Sequence, residues 1–213
     1  CLNSAAGVKA VLDGRRAVRL RATGALSDNR AVKERARVAW PLWLGLGLCL
    51  LIYAPRLGAP LVWDDRGAIV MNEALAKPAG WRAFLTRDYF AFSREASWRP
   101  AATLSYHLAA RLGGGSPWSL RLTSLLLHVA AGGLLMKVLA GMGLPASAQR
   151  WAAALFWVHA AHVETLLCAA FNEELLVAAG LLGMLAAHQR GSAALAAAGF
   201  AGAMLSKETG ALG

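Results

Sequence analysis

The feature that most constrains this chain is the run at residues 38–54 (VAWPLWLGLGLCLLIYA), which contains no charged side chain. A helix needs about 20 mainly apolar residues to cross a bilayer, and Trp and Tyr are enriched at its ends. Trp40, Trp43 and Tyr53 occupy such positions. Because 57% of the whole chain is hydrophobic and only 16% is charged, an ordinary soluble domain is excluded. The sequence therefore predicts an all-α, polytopic helical membrane protein.

Further apolar segments predict four more membrane spans, at residues 118–142, 151–171, 175–188 and 193–205. The last two lie near the lower length limit for crossing a bilayer. A long polar stretch at 55–117 separates the first span from the second and is expected to form the first external loop. Within it, residues 80–92 and 100–112 mix aromatic, aliphatic and charged side chains, which predicts helices lying along the membrane surface.

Basic residues precede the first span. Residues 1–39 hold nine Lys and Arg against three Asp and Glu, a net charge of +6, as the positive-inside rule expects of a cytoplasmic segment. We therefore predict a basic cytoplasmic tail at 1–37 and the N-terminal part of a membrane domain at 38–213. A nucleic-acid-binding tail is the alternative, but no aromatic residues interleave these charges. We expect the lipid bilayer, and no nucleic acid, as the partner of this segment.

With that orientation, ionisable residues from distant segments gather at the outer ends of the spans. They follow the first span, open the fourth and close the fifth: Asp64, Asp65, Glu173, Glu174, Lys207 and Glu208. Two neighbouring acids at a membrane boundary can divide into a base and a group that orients a donor or binds a cation. The simpler alternatives are a solvated turn with Arg66 as partner, acids that favour a helix dipole, and a Lys that reaches the interface.

The predicted third span contains His159, His162 and Glu164. Ionisable groups at this depth are costly and usually functional, and the two histidines would lie one turn apart on one side of a helix. The spacing is not that of zinc proteases. The sequence does not identify a metal. A divalent cation is the one cofactor considered. A transporter or channel with a His/Glu relay is the alternative function, and a non-catalytic scaffold is another.

Acids, an amine and imidazoles at an outer face would suit a lipid-phosphate donor. The motifs in order are VWDD at 62–65, WRP at 98–100, LH at 127–128, HAAHVE at 159–164, FNEELL at 171–176 and LSKE at 205–208. This order resembles the transmembrane O-mannosyltransferases that carry tetratricopeptide repeats, and their bacterial relatives, in the GT-C glycosyltransferase superfamily. The sequence departs from the family pattern at Trp98, Ala101 and Ala160, and has FNEE where the family has GRAD.

The resemblance implies a GT-C-like enzyme that moves a sugar, mannose, from a polyprenyl-phosphate donor to a protein hydroxyl or another lipid-linked glycan. It implies that Asp64 or Asp65 is the base and that Arg99 and Lys207 hold phosphate. The remaining donor-binding candidates are His159, His162, Glu164, Glu173, Glu174 and Glu208. The expected location is a bacterial inner membrane with an extracytoplasmic active site. Further spans and the repeats are expected beyond Gly213, so this fragment alone is not expected to turn over.

Overall fold

The computed structural model describes residues 39–72, 75, 85 and 97–212. The chain divides into two units, Cys1–Trp40 and Pro41–Gly213, and the fold described below is that of the second. The predicted cytoplasmic tail at 1–37 lies outside the described residues. So does the predicted surface helix at 80–92, apart from Leu85.

Seven α-helices are present in the described part of the chain. They are α1 (Ala39–Arg56), α2 (Pro100–Gly113), α3 (Pro117–Gly141), α4 (Ala146–Val158), α5 (Val163–Leu167), α6 (Asn172–Gln189) and α7 (Ala193–Met204). Short helical turns lie between them at Arg66–Val70, Ala160–His162 and Ala169–Phe171, and a last one follows at Glu208–Leu212. No strand occurs among these residues, and the predicted all-α class is confirmed.

Three of these helices are long and apolar enough to cross a membrane: α1, α3, and α6 together with the turn that precedes it (Ala169–Gln189). At 1.5 Å per residue, α3 is about 37 Å long, whereas α7 is apolar but only about 18 Å long. Large apolar side chains such as Leu51, Leu126 and Leu195 point outward, where lipid rather than water would cover them. The membrane class is confirmed, and the number of five spans stays a prediction.

The predicted continuous third span at 151–171 is wrong. Helix α4 ends at Val158, and His159 has an extended backbone with φ −68° and ψ 130°. The His159 Nδ1 atom accepts a hydrogen bond of 3.2 Å from the Ala161 backbone N–H, so this side chain caps a new turn instead of continuing the helix. Helix α5 then begins at Val163. His159 and His162 therefore do not share one helical face.

Leaving α2 and α5 aside, successive helices of the bundle alternate in direction. Helices α3 and α6 run parallel, because Ser124 Oγ donates to Asn172 Oδ1 (2.6 Å) near their first turns and Gln189 Nε2 donates to Val138 O (3.1 Å) near their last. Helix α4 runs antiparallel to α3: it begins beside the last turn of α3, where the Leu144 N–H donates to Leu139 O (3.1 Å), and Trp157 near its end donates to Val129 O (3.3 Å) in the middle of α3. Helix α7 returns along α6.

This alternation gives the bundle two chemically different ends. The acidic end holds the last turns of α1 and α7, the first turns of α3 and α6 and the segment after α4, with Asp65, Glu173 and Glu208. The basic end holds Lys137, Arg150 and Arg190. The predicted convergence of the acids from distant segments is therefore present in the structure.

Helix α2 crosses the acidic end, and the helix predicted at 100–112 is confirmed. Its start is tied to the end of α7 by the Ala101 N–H, which donates to Leu205 O (2.9 Å). It leads into α3 through Gly114 and Gly115, whose φ angles of 64° and 72° favour glycine.

One apolar cluster, including Ala102, Tyr106, Leu120 and Ala169, packs beneath α2. A second, including Cys49, Leu125, Trp157 and Leu175, packs among α1, α3, α4 and α6.

Candidate active site at the acidic end of the bundle

Asp65 has no exposed surface. Its Oδ1 atom accepts hydrogen bonds from the Ala170 backbone N–H (2.8 Å) and from Cys168 Sγ (3.2 Å). Its Oδ2 atom accepts one from the Val62 backbone N–H (3.1 Å). The carboxylate therefore joins the turn after α1 to the segment that leads into α6, two parts of the chain about a hundred residues apart.

Arg121, on the first turns of α3, is the charged partner of Asp65. Its side chain is 2% exposed, and one guanidinium nitrogen (NH2) lies 3.9 Å from Asp65 Oδ2. A buried carboxylate without an opposite charge is costly, so Arg121 compensates the charge of Asp65. The alternative predicted from the sequence, a solvated turn paired with Arg66, does not describe Asp65.

Asp64 is exposed, in contrast to its neighbour. It follows Trp63, which is 76% exposed and has a φ of 47°, rare and strained for a bulky side chain. It precedes the Arg66–Val70 turn, where the Met71 N–H donates to Arg66 O (2.8 Å) in the π-helical pattern. Strained residues and π-helical turns occur often at functional sites. The turn at 62–71 holds one carboxylate outward and one inward.

A cavity of about 500 Å³ adjoins this turn. Its lining is mainly apolar, with one carboxylate, Glu164, and the large exposed ring of Trp63. The lining residues are Val62, Trp63, Ala160, Ala161, Val163, Glu164, Leu167 and Cys168. A largely apolar cavity with few polar groups is typical of a small-molecule site.

A cluster of ion pairs lies at the same end of the bundle. Arg99 donates to Glu173 Oε2 (2.6 Å) and to Glu208 Oε2 (3.0 Å). Lys207 Nζ lies 2.8 Å from Glu173 Oε1 and 2.5 Å from Glu174 Oε1. Glu173 is the buried centre of the cluster, with its side chain 4% exposed. The cluster connects the start of α2, the first turn of α6 and the segment after α7.

The pairing stabilises the charged forms of the outer members. Burial alone would lower the pKa of Lys207, but hydrogen bonds to Glu173 and Glu174 outweigh burial and raise it above the usual 10.5. The pKa of Glu208 lies below the usual 4.5 because its own backbone N–H and then Arg99 donate to it. The contribution of Glu208 to the free energy of unfolding is lost as pH falls through its folded pKa. The contribution of Lys207 is lost as pH rises through its own folded pKa. Both pairs therefore persist at neutral pH.

The acid turn and the ion-pair cluster are linked by the Ala169–Phe171 turn and the first residues of α6. Ala170 donates to Asp65, and Glu173, three residues later, binds Arg99 and Lys207. Glu173 and Glu174 lie in the first turn of α6, as acids that favour the helix dipole do. The dipole interpretation and the site interpretation of these acids are therefore compatible.

The histidines form a separate group near the end of α4. The ring centroids of His128 and His162 are 5.0 Å apart, and Phe156 packs against both at 4.8 and 4.5 Å. His159 lies 6.1 Å from His162. Glu164 lines the cavity instead. Among the described residues, no group of three or more His, Cys, Asp or Glu side chains is arranged to hold a metal ion.

The sequence did not predict the buried positions of four polar residues: Arg121, Ser124, His128 and Asn172. Arg121, Ser124 and His128 recur at helical spacing on the buried face of α3, and the side chain of Asn172 has no exposed surface. Polar residues at that spacing inside an otherwise apolar helix usually mark a functional or paired face. The spacing of these polar residues could therefore have identified the buried face of α3 from the sequence.

These features define a helical membrane protein with two adjacent acids, one exposed and one buried, and an ion-pair cluster at one end of its bundle. Comparison with known proteins finds similarity to protein O-mannosyl-transferases. The chain is 33% identical over 123 residues to Tmtc2 of Drosophila melanogaster and 35% identical over 132 residues to tmtc2 of Xenopus laevis. It is 35% identical over 104 residues to human TMTC2.

These alignments cover 45% to 57% of this chain and 12% to 15% of the relatives. Over that part the chain is similar to the TMTC-type O-mannosyl-transferases, and the predicted resemblance is confirmed. No family model matches the chain. No solved structure matches it either.

Proposed function

We propose that this chain is part of a membrane glycosyltransferase that moves mannose from a polyprenyl-phosphate donor to a Ser or Thr hydroxyl of a protein, with Asp64 as the base. The observation that carries the proposal is the exposed Asp64 beside the buried, charge-paired Asp65, at the edge of a cavity. The names of the relatives support the reaction class, and the resemblance supports the lipid-linked donor.

The reaction is a displacement at the anomeric carbon of the sugar. Asp64 takes the proton of the acceptor hydroxyl while its oxygen forms the new bond to that carbon. The bond between the sugar and the donor phosphate breaks, and its electron pair leaves with the polyprenyl phosphate. Attack from the face opposite the phosphate inverts the anomeric configuration. A positioned base contributes about 10²- to 10⁴-fold to such a step.

Asp64 suits the role of base better than Asp65 because a base needs a free lone pair within reach of the acceptor. Both oxygens of Asp65 already accept hydrogen bonds from Val62, Cys168 and Ala170. The side chain of Asp64 is exposed at the same turn.

Arg99 and Lys207 are proposed to hold the donor phosphate. Both are paired with carboxylates in this structure, so a phosphate would have to replace one of them. Glu208 is the exchangeable partner, because its side chain is 65% exposed whereas that of Glu173 is 4% exposed. The phosphate would take the place of Glu208 on Arg99, while Glu173 keeps the cation in position.

Asp64→Asn tests the assignment of the base. Membranes from cells that express the complete reading frame are given polyprenyl-phosphate mannose with a radioactive sugar and a Ser/Thr peptide as acceptor. The transfer rate per folded molecule is expected to fall about 10²- to 10⁴-fold. Asp28→Asn, in the basic segment before α1, is the matched control and should transfer normally.

Normal transfer by Asp64→Asn would contradict the proposal. The alternative function, a transport relay, draws on one observation, the group formed by His128, His159 and His162. A proton flux into vesicles that is lost in His162→Ala and retained in Asp64→Asn would favour transport over glycosyl transfer.

A further inference from the structure

We propose that Arg121 is a positioning residue for this reaction: its guanidinium group fixes Asp65 and two separate backbone segments, so that Asp64 is held toward the acceptor. This inference rests on the proposed function. Arg121 itself does not contact the reacting atoms.

The guanidinium group joins the two backbone segments that border the acid turn. On one side, one terminal nitrogen (NH2) donates to Pro60 O (2.7 Å), and the other (NH1) donates to Leu57 O (3.4 Å) and to Ala59 O. On the other side, Nε donates to Leu167 O (2.7 Å). The first segment leads into Trp63 and Asp64, and the second borders the cavity.

The charge of Arg121 acts on the same turn as its hydrogen bonds. Its terminal nitrogen lies 3.9 Å from Asp65 Oδ2, beyond hydrogen-bond distance, so this contact is an interaction of charges. Asp65 in turn accepts from Val62, the residue before Trp63. The strained backbone of Trp63 thus lies between two fixed points, Val62 and Asp65, and the orientation of Asp64 follows from them.

The chemistry of these contacts is specific to arginine. A guanidinium group presents five N–H donors in a rigid plane, whereas a lysine ammonium presents its donors from a single point. Carbonyls on two separate segments cannot be reached from one point with the same geometry. Lysine would keep the charge opposite Asp65 and lose the connection between the segments.

Stability alone gives little reason for such a residue. Arg121 lies in a helix that is long and apolar enough to cross a membrane, where a buried charge is costly. Replacing a buried ion pair by apolar residues is often neutral or stabilising. A contribution to folding therefore does not explain the buried pair of Arg121 and Asp65, whereas a contribution to the geometry of the site does.

Arg121→Lys is expected to lower kcat at least tenfold and to leave the KM for the lipid donor within twofold of the wild-type value. A displacement of about 1 Å at a reacting group can cost about 10²-fold in rate, whereas the cavity and the ion-pair cluster stay unchanged. Initial rates are measured on the purified full-length protein in detergent, with the same lipid-linked mannose. Lys137→Arg, a charge-preserving change on an exposed position of the same helix, is the matched control and should keep both constants.

The outcomes separate this inference from the proposed function. Transfer that survives Asp64→Asn overturns the proposed function, whatever Arg121 does. Transfer lost in Asp64→Asn but with wild-type kcat in Arg121→Lys overturns the positioning role alone. A smaller yield of folded Arg121→Lys protein with normal kcat per folded molecule also overturns it.

A second variant covers the case in which Arg121→Lys does not accumulate in membranes. Asp65→Asn keeps the shape of the side chain and removes the charge that Arg121 faces. A fall in kcat at nearly constant KM supports the positioning role, and an unchanged kcat overturns it.

Discussion

Asp64 and Asp65 are adjacent in the chain, yet one carboxylate is exposed and the other has no exposed surface. The difference arises because successive side chains in a turn point in different directions. Only Asp65 meets the Ala170 N–H and the charge of Arg121. A carboxylate whose two oxygens both accept hydrogen bonds can fix a backbone, and its exposed neighbour is the one that we propose as the base.

The ion-pair cluster gives a prediction about donor affinity. Arg99→Gln should raise the KM for the lipid donor about ten- to hundredfold, because a charge-assisted hydrogen bond to phosphate is lost. Glu208→Gln should lower the same KM about two- to fivefold, because it removes the exposed carboxylate that competes for Arg99. Steady-state rates over a range of donor concentrations measure both effects.

A control keeps that pair of variants interpretable. Glu208 stays ionised at neutral pH because its pKa is below the usual 4.5, so the difference between Glu208→Gln and wild type should disappear only as pH falls through that lowered pKa. A KM that rises in both variants would show that Glu208 helps to bind the donor instead of competing with it.

The sequence predicted the identities of these ionisable residues but not their pairing. Asp64, Glu173 and Lys207 were recognisable because the alternation of the predicted spans puts these distant residues at the same side of the membrane. Which acid becomes buried depends on contacts with Arg121 and Ala170, which are distant in the chain. No local pattern around residues 62–66 contains that information.

At the scale of elements, the break after α4 decides which residues form the cavity. Had residues 151–171 formed one helix, His159 and His162 would have lain along one face. The extended His159 instead turns the chain, so that Ala160, Glu164 and Leu167 line the cavity beside Trp63. Apolar periodicity could not predict this break, because the segment contains no Pro or Gly and the cap comes from a histidine ring.

Close packing of α6 on α7 predicts a large effect from a small substitution. A Cβ atom on Gly199 would lie 2.8 Å from Met184 N and 2.9 Å from Gly180 O, both backbone atoms that cannot move aside. Gly199→Val is therefore expected to cost about 1–3 kcal/mol and to displace the end of α7 from the ion-pair cluster. Thermal unfolding in detergent measures the loss.

Gly183→Val serves as the matched control, because an added Cβ at Gly183 meets no atom within 4 Å. Both variants exchange a helical glycine for the same β-branched residue, so any difference reports packing. Equal unfolding temperatures for the two variants would contradict close packing of α6 on α7. The Ala- and Gly-rich composition of residues 193–205 is typical of such packing.

At the scale of the whole molecule, the unequal distribution of acids predicts how the bundle lies in the membrane: every Asp and Glu of the described residues lies at one end, and the other end holds Lys137, Arg150 and Arg190. We propose that the basic end faces the cytoplasm of a bacterium and that the acidic end faces outward. The charge rule supplies this orientation, and the direction of each helix carries it from α1 to α7.

Two variants, each with one exposed cysteine, test the orientation. Ala211→Cys lies beyond α7 at the acidic end and Ala193→Cys opens α7 at the basic end, and both positions are exposed. With Cys1 changed to Ser, Cys49 and Cys168 remain buried. A membrane-impermeant maleimide should label Ala211→Cys in intact cells and Ala193→Cys only after lysis. The reverse pattern would put the acidic end in the cytoplasm and exclude an extracytoplasmic reaction.

The hydrogen bond between Asp65 and Ala170 also sets when the acid turn can form during synthesis of the chain. The two residues are 105 positions apart, and a ribosome adding about 5–20 residues per second needs about 5–20 s to cover that distance. During this interval α1 can already be inserted, while the carboxylate that follows it still lacks its final partners. The acid turn can become rigid only after the start of α6 has entered the membrane, so any activity begins late in biosynthesis.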